Sequence, residues 1–163
     1  MTNKQFTIKK YEEVHFGQYY ALVSDNDVMQ FITGKGLSVK DAQEKFNVFL
    51  EVNRKYPEMG YYALFDENGQ HIGDCKLEWY RPKLEVLEVG YILKKEYWGK
   101  GYGTKICSFL LKQALDLYPN EDVIGIVDPN NMASRKILQK AGFETYFIGV
   151  EDGVPTEKLK FVK

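Results

Sequence analysis

Cysteine is scarce: Cys75 and Cys107 are the only two in 163 residues. Their spacing matches no metal or redox motif, so both are expected to be reduced core residues of a cytoplasmic protein. An excess of one charge is also missing. The 22 basic and 23 acidic residues leave a net charge of −1, with no block of either sign, which argues against nucleic acid as a partner. No apolar run approaches the roughly 20 residues that span a bilayer, so no membrane association is expected. Met1 to Lys10 have neither the apolar core nor the cleavage site of a secretory leader. Histidine is limited to His15 and His71, both expected at the surface or in turns. No His, Cys, Asp or Glu group has metal-ligand spacing, so no metal is expected.

What is present suits one globular domain over 1–163. Hydrophobic residues make up 44% and charged residues 28%, and a 15% aromatic share favours half-buried strands around a filled core. Alternation around Phe6 and Ile8 predicts a strand at about 5–10, and Phe16, Tyr19, Tyr20, Val28 and Phe31 a helical region over roughly 11–32. Ser38 with Asp41 resembles a capping pair. Val39, Ala42, Phe46, Phe49 and Leu50 then share one helical face. "GYYALFDENGQHIGDCKLEWY" reads as a hairpin, with strands Tyr61–Phe65 and His71–Tyr80 around an Asn68-Gly69 turn of positive φ. Leu84–Leu93 is a further strand, 101–117 a helix, and Val123–Val127 a short apolar strand suited to a central position. Asp128-Pro129 ends it. A helix from Asn131 to about Ala141 stops at Gly142. Phe143–Val150 and Thr156–Val162 form a last hairpin around Asp152-Gly153.

The helix at 101–117 links the strands at 84–93 and 123–127 as a crossover, so those two are expected to be parallel and close. The rest is meander. The predicted fold is α/β (α+β), with helices on both faces of a mixed, mostly antiparallel sheet.

"YWGKGYGT" places Gly99, Gly101 and Gly103 between strand and helix. A helix N-terminus offers unpaired N–H groups and partial positive charge, and glycine lets a phosphate come close. Lys100 is followed by Gly101 rather than Ser or Thr, which excludes the nucleotide P-loop. Ile106 stands where the dinucleotide fingerprint needs a third glycine. A plain glycine-rich turn explains the stretch equally well on its own.

It is not alone. "VGYILKKEYWGKGYGTKICSFLLKQAL" followed by "DPNNMASRKILQKAGF" resembles the acetyl-CoA-dependent GNAT N-acetyltransferases, most of all the branch that includes ribosomal-protein N-terminal alanine acetyltransferases. The two motifs cover about a third of the chain. The resemblance implies a central splayed parallel pair of strands and acetyl-CoA as cosubstrate. Trp98, Gly99, Lys100, Gly101, Tyr102, Gly103 and Thr104 match the pyrophosphate loop, except that Trp98 replaces the family's Arg or Gln. Tyr91, Ile92 and Leu93 match the strand end that pairs with pantetheine. Asn131 matches the Asn that bonds the pantetheine arm, with Ser134 in the same motif. A plain helix N-cap is the other reading of Asn131.

The implied reaction moves an acetyl group from the thioester to a primary amine by direct attack. A base must deprotonate the amine, and a backbone N–H polarises the carbonyl. Ile92 is the candidate for that N–H. Glu88 is the candidate base because Glu88, Gly90 and Ile92 share a strand face. Glu78 is second and His71 third, with solvent-facing strand residues as the plain reading of both glutamates. The family's acid is a Tyr at the position of Leu138 here, so the acid is missing or comes from elsewhere, such as Tyr91, Tyr102 or solvent. That gap keeps a second class in view, a non-catalytic acyl-CoA-binding module. A nucleotide-binding domain is a third. The acceptor, a small-molecule amine or a protein N-terminus, would lie between 11–56 and 143–162. A homodimer is open from the resemblance.

Overall fold

The structure, a computed structural model, describes residues 5–163. Met1 to Lys4, part of the segment compared above with a leader, lie outside the described residues. In chain order the elements are β1 Thr7–Lys10, α1 Phe16–Val23, α2 Asn26–Met29, α3 Val39–Lys55, β2 Gly60–Phe65, β3 His71–Arg81, β4 Val86–Leu93, α4 Tyr102–Leu117, β5 Asp122–Val127, α5 Met132–Lys140, β6 Phe143–Glu151 and β7 Val154–Phe161. The hydrogen-bonded strand order is β1-β2-β3-β4-β5-β7-β6. It is mostly antiparallel, with β4 and β5 as the parallel pair.

The chain forms two compact units. The first holds the described residues up to Lys76 together with Tyr91–Tyr102, and the second holds Leu77–Gly90 with Gly103–Lys163. In the first, Tyr11, Tyr19, Leu22, Phe46 and Ala63 build a buried core in which rings meet edge to face. Ile92 packs against this core. Two expectations change here. The helical region at 11–32 is broken, because the Asp25 carboxylate accepts from Asp27 and Val28 N–H and starts a new helix. Val39 opens α3 at 55% exposure instead of joining the buried face. Ser38 caps that helix as expected, its hydroxyl accepting from Asp41 N–H at 3.1 Å.

In the second unit, partners across adjacent strands point to one side. Gly125 pairs with Leu159, and Val127 with Glu157. These face the helices: a Cβ at Gly125 would stand 2.9 Å from Leu138 of α5. Glu88 pairs with Ile124 and Ile124 with Lys160, while Ile126 pairs with Lys158 and Lys158 with Phe147. Those residues face the opposite side. Tyr146 is the extra residue of a bulge between Thr145 and Phe147. The last turn has Asp152 at φ 51° and Gly153 at φ 76°, the pairing a two-residue hairpin turn demands.

Candidate active site

The glycine loop is tied to the strand end before it. β4 ends at Leu93, Lys94 N–H donates to Ile72 O at 2.8 Å, and a 3-10 turn covers Lys95–Tyr97. The Trp98 indole N–H donates to Leu93 O at 2.9 Å. The residue that departs from the family motif therefore ties the loop to the strand end. Tyr97 O–H donates to Asp66 Oδ2 at 3.1 Å, and its ring meets Tyr102 edge-on at 5.6 Å. Gly99 and Gly101 follow at φ 70° and 88°, a region that disfavours any side chain. A Cβ at either would meet nothing within 4 Å. Conformation rather than packing, then, demands these glycines. α4 starts at Tyr102, directly after the loop, and its first-turn N–H groups have no intrahelical acceptor. This backbone fits the pyrophosphate of acetyl-CoA.

The parallel register runs from Val86 with Asp122 to Val89 with Gly125. It stops one pair short of Gly90 and Ile126, although β4 continues to Leu93 and β5 to Val127. Leu93 O is already taken by Trp98. Gly73 lets β3 approach β4 closely, since a Cβ there would stand 2.1 Å from Ile92 O. Glu78 and Glu88 are both half-buried.

Asn131 is the N-cap of α5, its Oδ1 accepting from Ser134 N–H at 3.2 Å. The amide Nδ2 is its remaining donor. One turn on, Arg135 Nε lies 2.6 Å from Glu157 Oε1, and Thr145 O–H donates to Oε2 at 2.5 Å. Glu157 is fully buried. Leu138, at the family's Tyr position, is buried against Gly125.

Several groups were not foreseen. His15 and His71 are buried at 8% and 6% exposure, not at the surface. Tyr11 Oη stands 3.2 Å from His71 Nε2 and 3.0 Å from Asp74 Oδ2. Burial lifts Asp74 to about 7, against the pull of Tyr11 and Lys76. Burial, then Lys94 and His15, lowers His71 to about 4. This histidine sits in the core and is no candidate base. Cys75 and Cys107 are free and buried, and burial pushes Cys107 up to about 11. Neither thiol is primed as a nucleophile. The signal for Glu157 and Lys158 was present in "TEKLKF", where a strand carries charge on both faces. Among the described residues no group of three or more His, Cys, Asp or Glu could hold a metal, and no helix is long and apolar enough to cross a membrane.

The family model of the acetyltransferase (GNAT) domain matches residues 5–144. An uncharacterized N-acetyltransferase of Bacillus subtilis (strain 168), YnaD, is 22% identical over 153 residues, covering 87% of this chain and 81% of its own. The structure is similar to spermidine N-acetyltransferase from Vibrio cholerae in complex with CoA and spermine, with TM-score 0.78, 16% identity and 96% and 95% of the two chains covered. It is also similar to RimL, a ribosomal L7/L12 alpha-N-protein acetyltransferase in complex with coenzyme A, with TM-score 0.79, 14% identity and 96% and 93% covered. At these identities the two structures speak for the fold, whereas the domain match runs through most of the chain and through both units. The chain belongs to the GNAT acetyltransferase family and is an acetyl-CoA-dependent N-acetyltransferase.

Proposed function

We propose that residues 1–163 act as one catalytic domain that acetylates a primary amine, with Glu88 as the base. Acetyl-CoA supplies the acetyl group as an activated thioester. The backbone of Gly99–Thr104, with Lys100 and Tyr102, holds its pyrophosphate. Tyr91, Ile92 and Leu93 offer strand-edge backbone to pantetheine, and Asn131 Nδ2 with Ser134 steadies that arm. Glu88 removes the ammonium proton, the Ile92 N–H polarises the carbonyl, and Glu78 is the second carboxylate on β3. No residue is assigned as acid, because Leu138 fills that place and the thiol is acidic enough to leave. The observation that carries this reading is the pair of left-handed glycines, each with room for a Cβ, just before the start of α4.

The acceptor is a small-molecule amine or a protein N-terminus, the two kinds named for the structurally similar proteins. A homodimer is supported by exposed Ile148, Val150 and Val154 on the β6–β7 hairpin, with β6 at the sheet edge. A cytoplasmic setting suits two free, buried thiols. Glu88→Gln tests the base. Acetyl-CoA binding by calorimetry should stay unchanged while amine-dependent thiol release falls. Equal turnover would remove Glu88 from the mechanism.

A further inference from the structure

One face of the second unit carries a built cation cage with a lysine already inside it. Lys158 Nζ lies 2.7 Å from Glu151 Oε2 and donates to Tyr80 Oη at 3.1 Å. It stands 5.1 Å from the Phe147 ring centroid and 5.5 Å from that of Tyr80. The Phe147 ring, the Tyr80 hydroxyl and a carboxylate around one ammonium form a recognition site for an alkylammonium. The Lys158 side chain is 7% exposed, whereas Glu151 is 43% exposed, so the cage opens to solvent on the glutamate side. The hydrogen bonds that Lys158 donates to Glu151 and Tyr80 raise it above its ordinary value despite burial, so it stays charged.

The cage shares its face with both candidate bases. Lys158 is two residues from Lys160, which pairs with Ile124, which pairs with Glu88. Glu78 is two residues from Tyr80 on β3, so both point the same way. Two strand spacings and two residues separate Glu88 from Lys158, about 12 Å between Cα atoms. Long side chains bridge much of that distance. Arg81 stacks on Tyr80 at 5.2 Å, and Lys160 lies over Tyr146 at 5.2 Å, which adds cations near the same cage.

We propose that Lys158 is a specificity-determining residue: its ammonium fills the cage of Tyr80, Phe147 and Glu151 and so restricts acceptors to amines without a second cation nearby. The inference rests on the acetyltransferase reading with Glu88 as base. An acceptor placing one amine at Glu88 would bring a second ammonium toward an occupied cage, where it meets repulsion and no free partner. Specificity here comes from a site closed by the chain itself.

The test is acetyl-CoA-dependent thiol release with amines matched in length, n-butylamine against 1,4-diaminobutane and n-pentylamine against 1,5-diaminopentane. Wild type should favour the monoamine by about tenfold or more in kcat/KM. Lys158→Ala opens the cage and should reverse that order. Lys158→Gln, close in length and uncharged, should erase the preference, and Lys158→Arg should keep it. The alanine and glutamine variants differ in how much packing they remove, so one poorly folded protein does not end the test. Wild type using diamines as well as monoamines would overturn the proposal. So would either uncharged variant keeping the wild-type ratio. Binding of acetyl-CoA with no thiol release from these amines or from peptides with a free N-terminus would instead sink the reading on which the proposal rests.

Discussion

The buried Asp74 carboxyl of the first unit meets the Tyr11 hydroxyl, which also meets the His71 imidazole, whereas the buried Glu157 carboxylate of the second meets a guanidinium. The two units solve one problem in opposite ways. Asp74 keeps a proton to about 7 and His71 gives one up until about 4, so the first cluster is neutral through weak acid. Tyr11 links them, donating to Asp74 when it is ionised and accepting from it when it is protonated. The second unit instead sets a carboxylate against a guanidinium at 2.6 Å. Of these two buried carboxyls, Asp74 is the one linked to pH and Glu157 the one held by an ion pair.

The comparison breaks most sharply at Arg135. Arg135→Met strands Glu157, which has no exposure, and should cost about 3 kcal/mol or more in urea unfolding. Glu157→Leu should cost less, because Arg135 is 28% exposed and reaches water. Replacing both should return stability to within about 1 kcal/mol of wild type.

The first unit should respond to pH instead. The raised Asp74 contributes stability that is fully present below 3.8 and lost as pH rises through about 7. The lowered His71 contributes stability present above 6.5 and lost as pH falls through about 4. Between about 4 and 6.5 the two slopes cancel. Asp74→Asn should unmask stability that rises with pH across this window, and His71→Gln stability that falls. Each slope should approach one proton, about 1.4 kcal/mol per pH unit. A flat profile in either variant, from urea unfolding at several pH values, would refute the account of two opposed slopes.

Smaller effects complete the order. Trp98→Phe removes a half-exposed neutral hydrogen bond and should cost about 1 kcal/mol by thermal unfolding. Lys112→Ala breaks a pair whose side chains are 76% and 58% exposed, and should change stability by less than about 0.5 kcal/mol.

The features legible in sequence were those set by local chemistry. The Ser38 cap, the Asp152-Gly153 turn, the Gly142 stop and the glycine loop each depend on residues a few positions apart. The parallel pair followed from the length of its crossover. The Asp25 cap escaped because Phe16 to Phe31 carries enough apolar residues to resemble one helix. Burial of His15 and His71 depends on Tyr11, whose partner His71 is 60 residues away. The cage around Lys158 joins residues 78 apart. No periodicity reports such pairs, because only the assembled sheet brings their strands to one face.

The central claim is that Gly99 to Thr104 hold acetyl-CoA. The most direct test is thermal unfolding of wild type and Gly101→Glu with and without acetyl-CoA, each judged against its own unliganded Tm. At about 100 times Kd the ligand should add roughly 2.7 kcal/mol to wild type. Glu at position 101 puts bulk and negative charge into the cradle, so that variant should show no rise. An equal rise in both proteins would contradict the assignment of this loop.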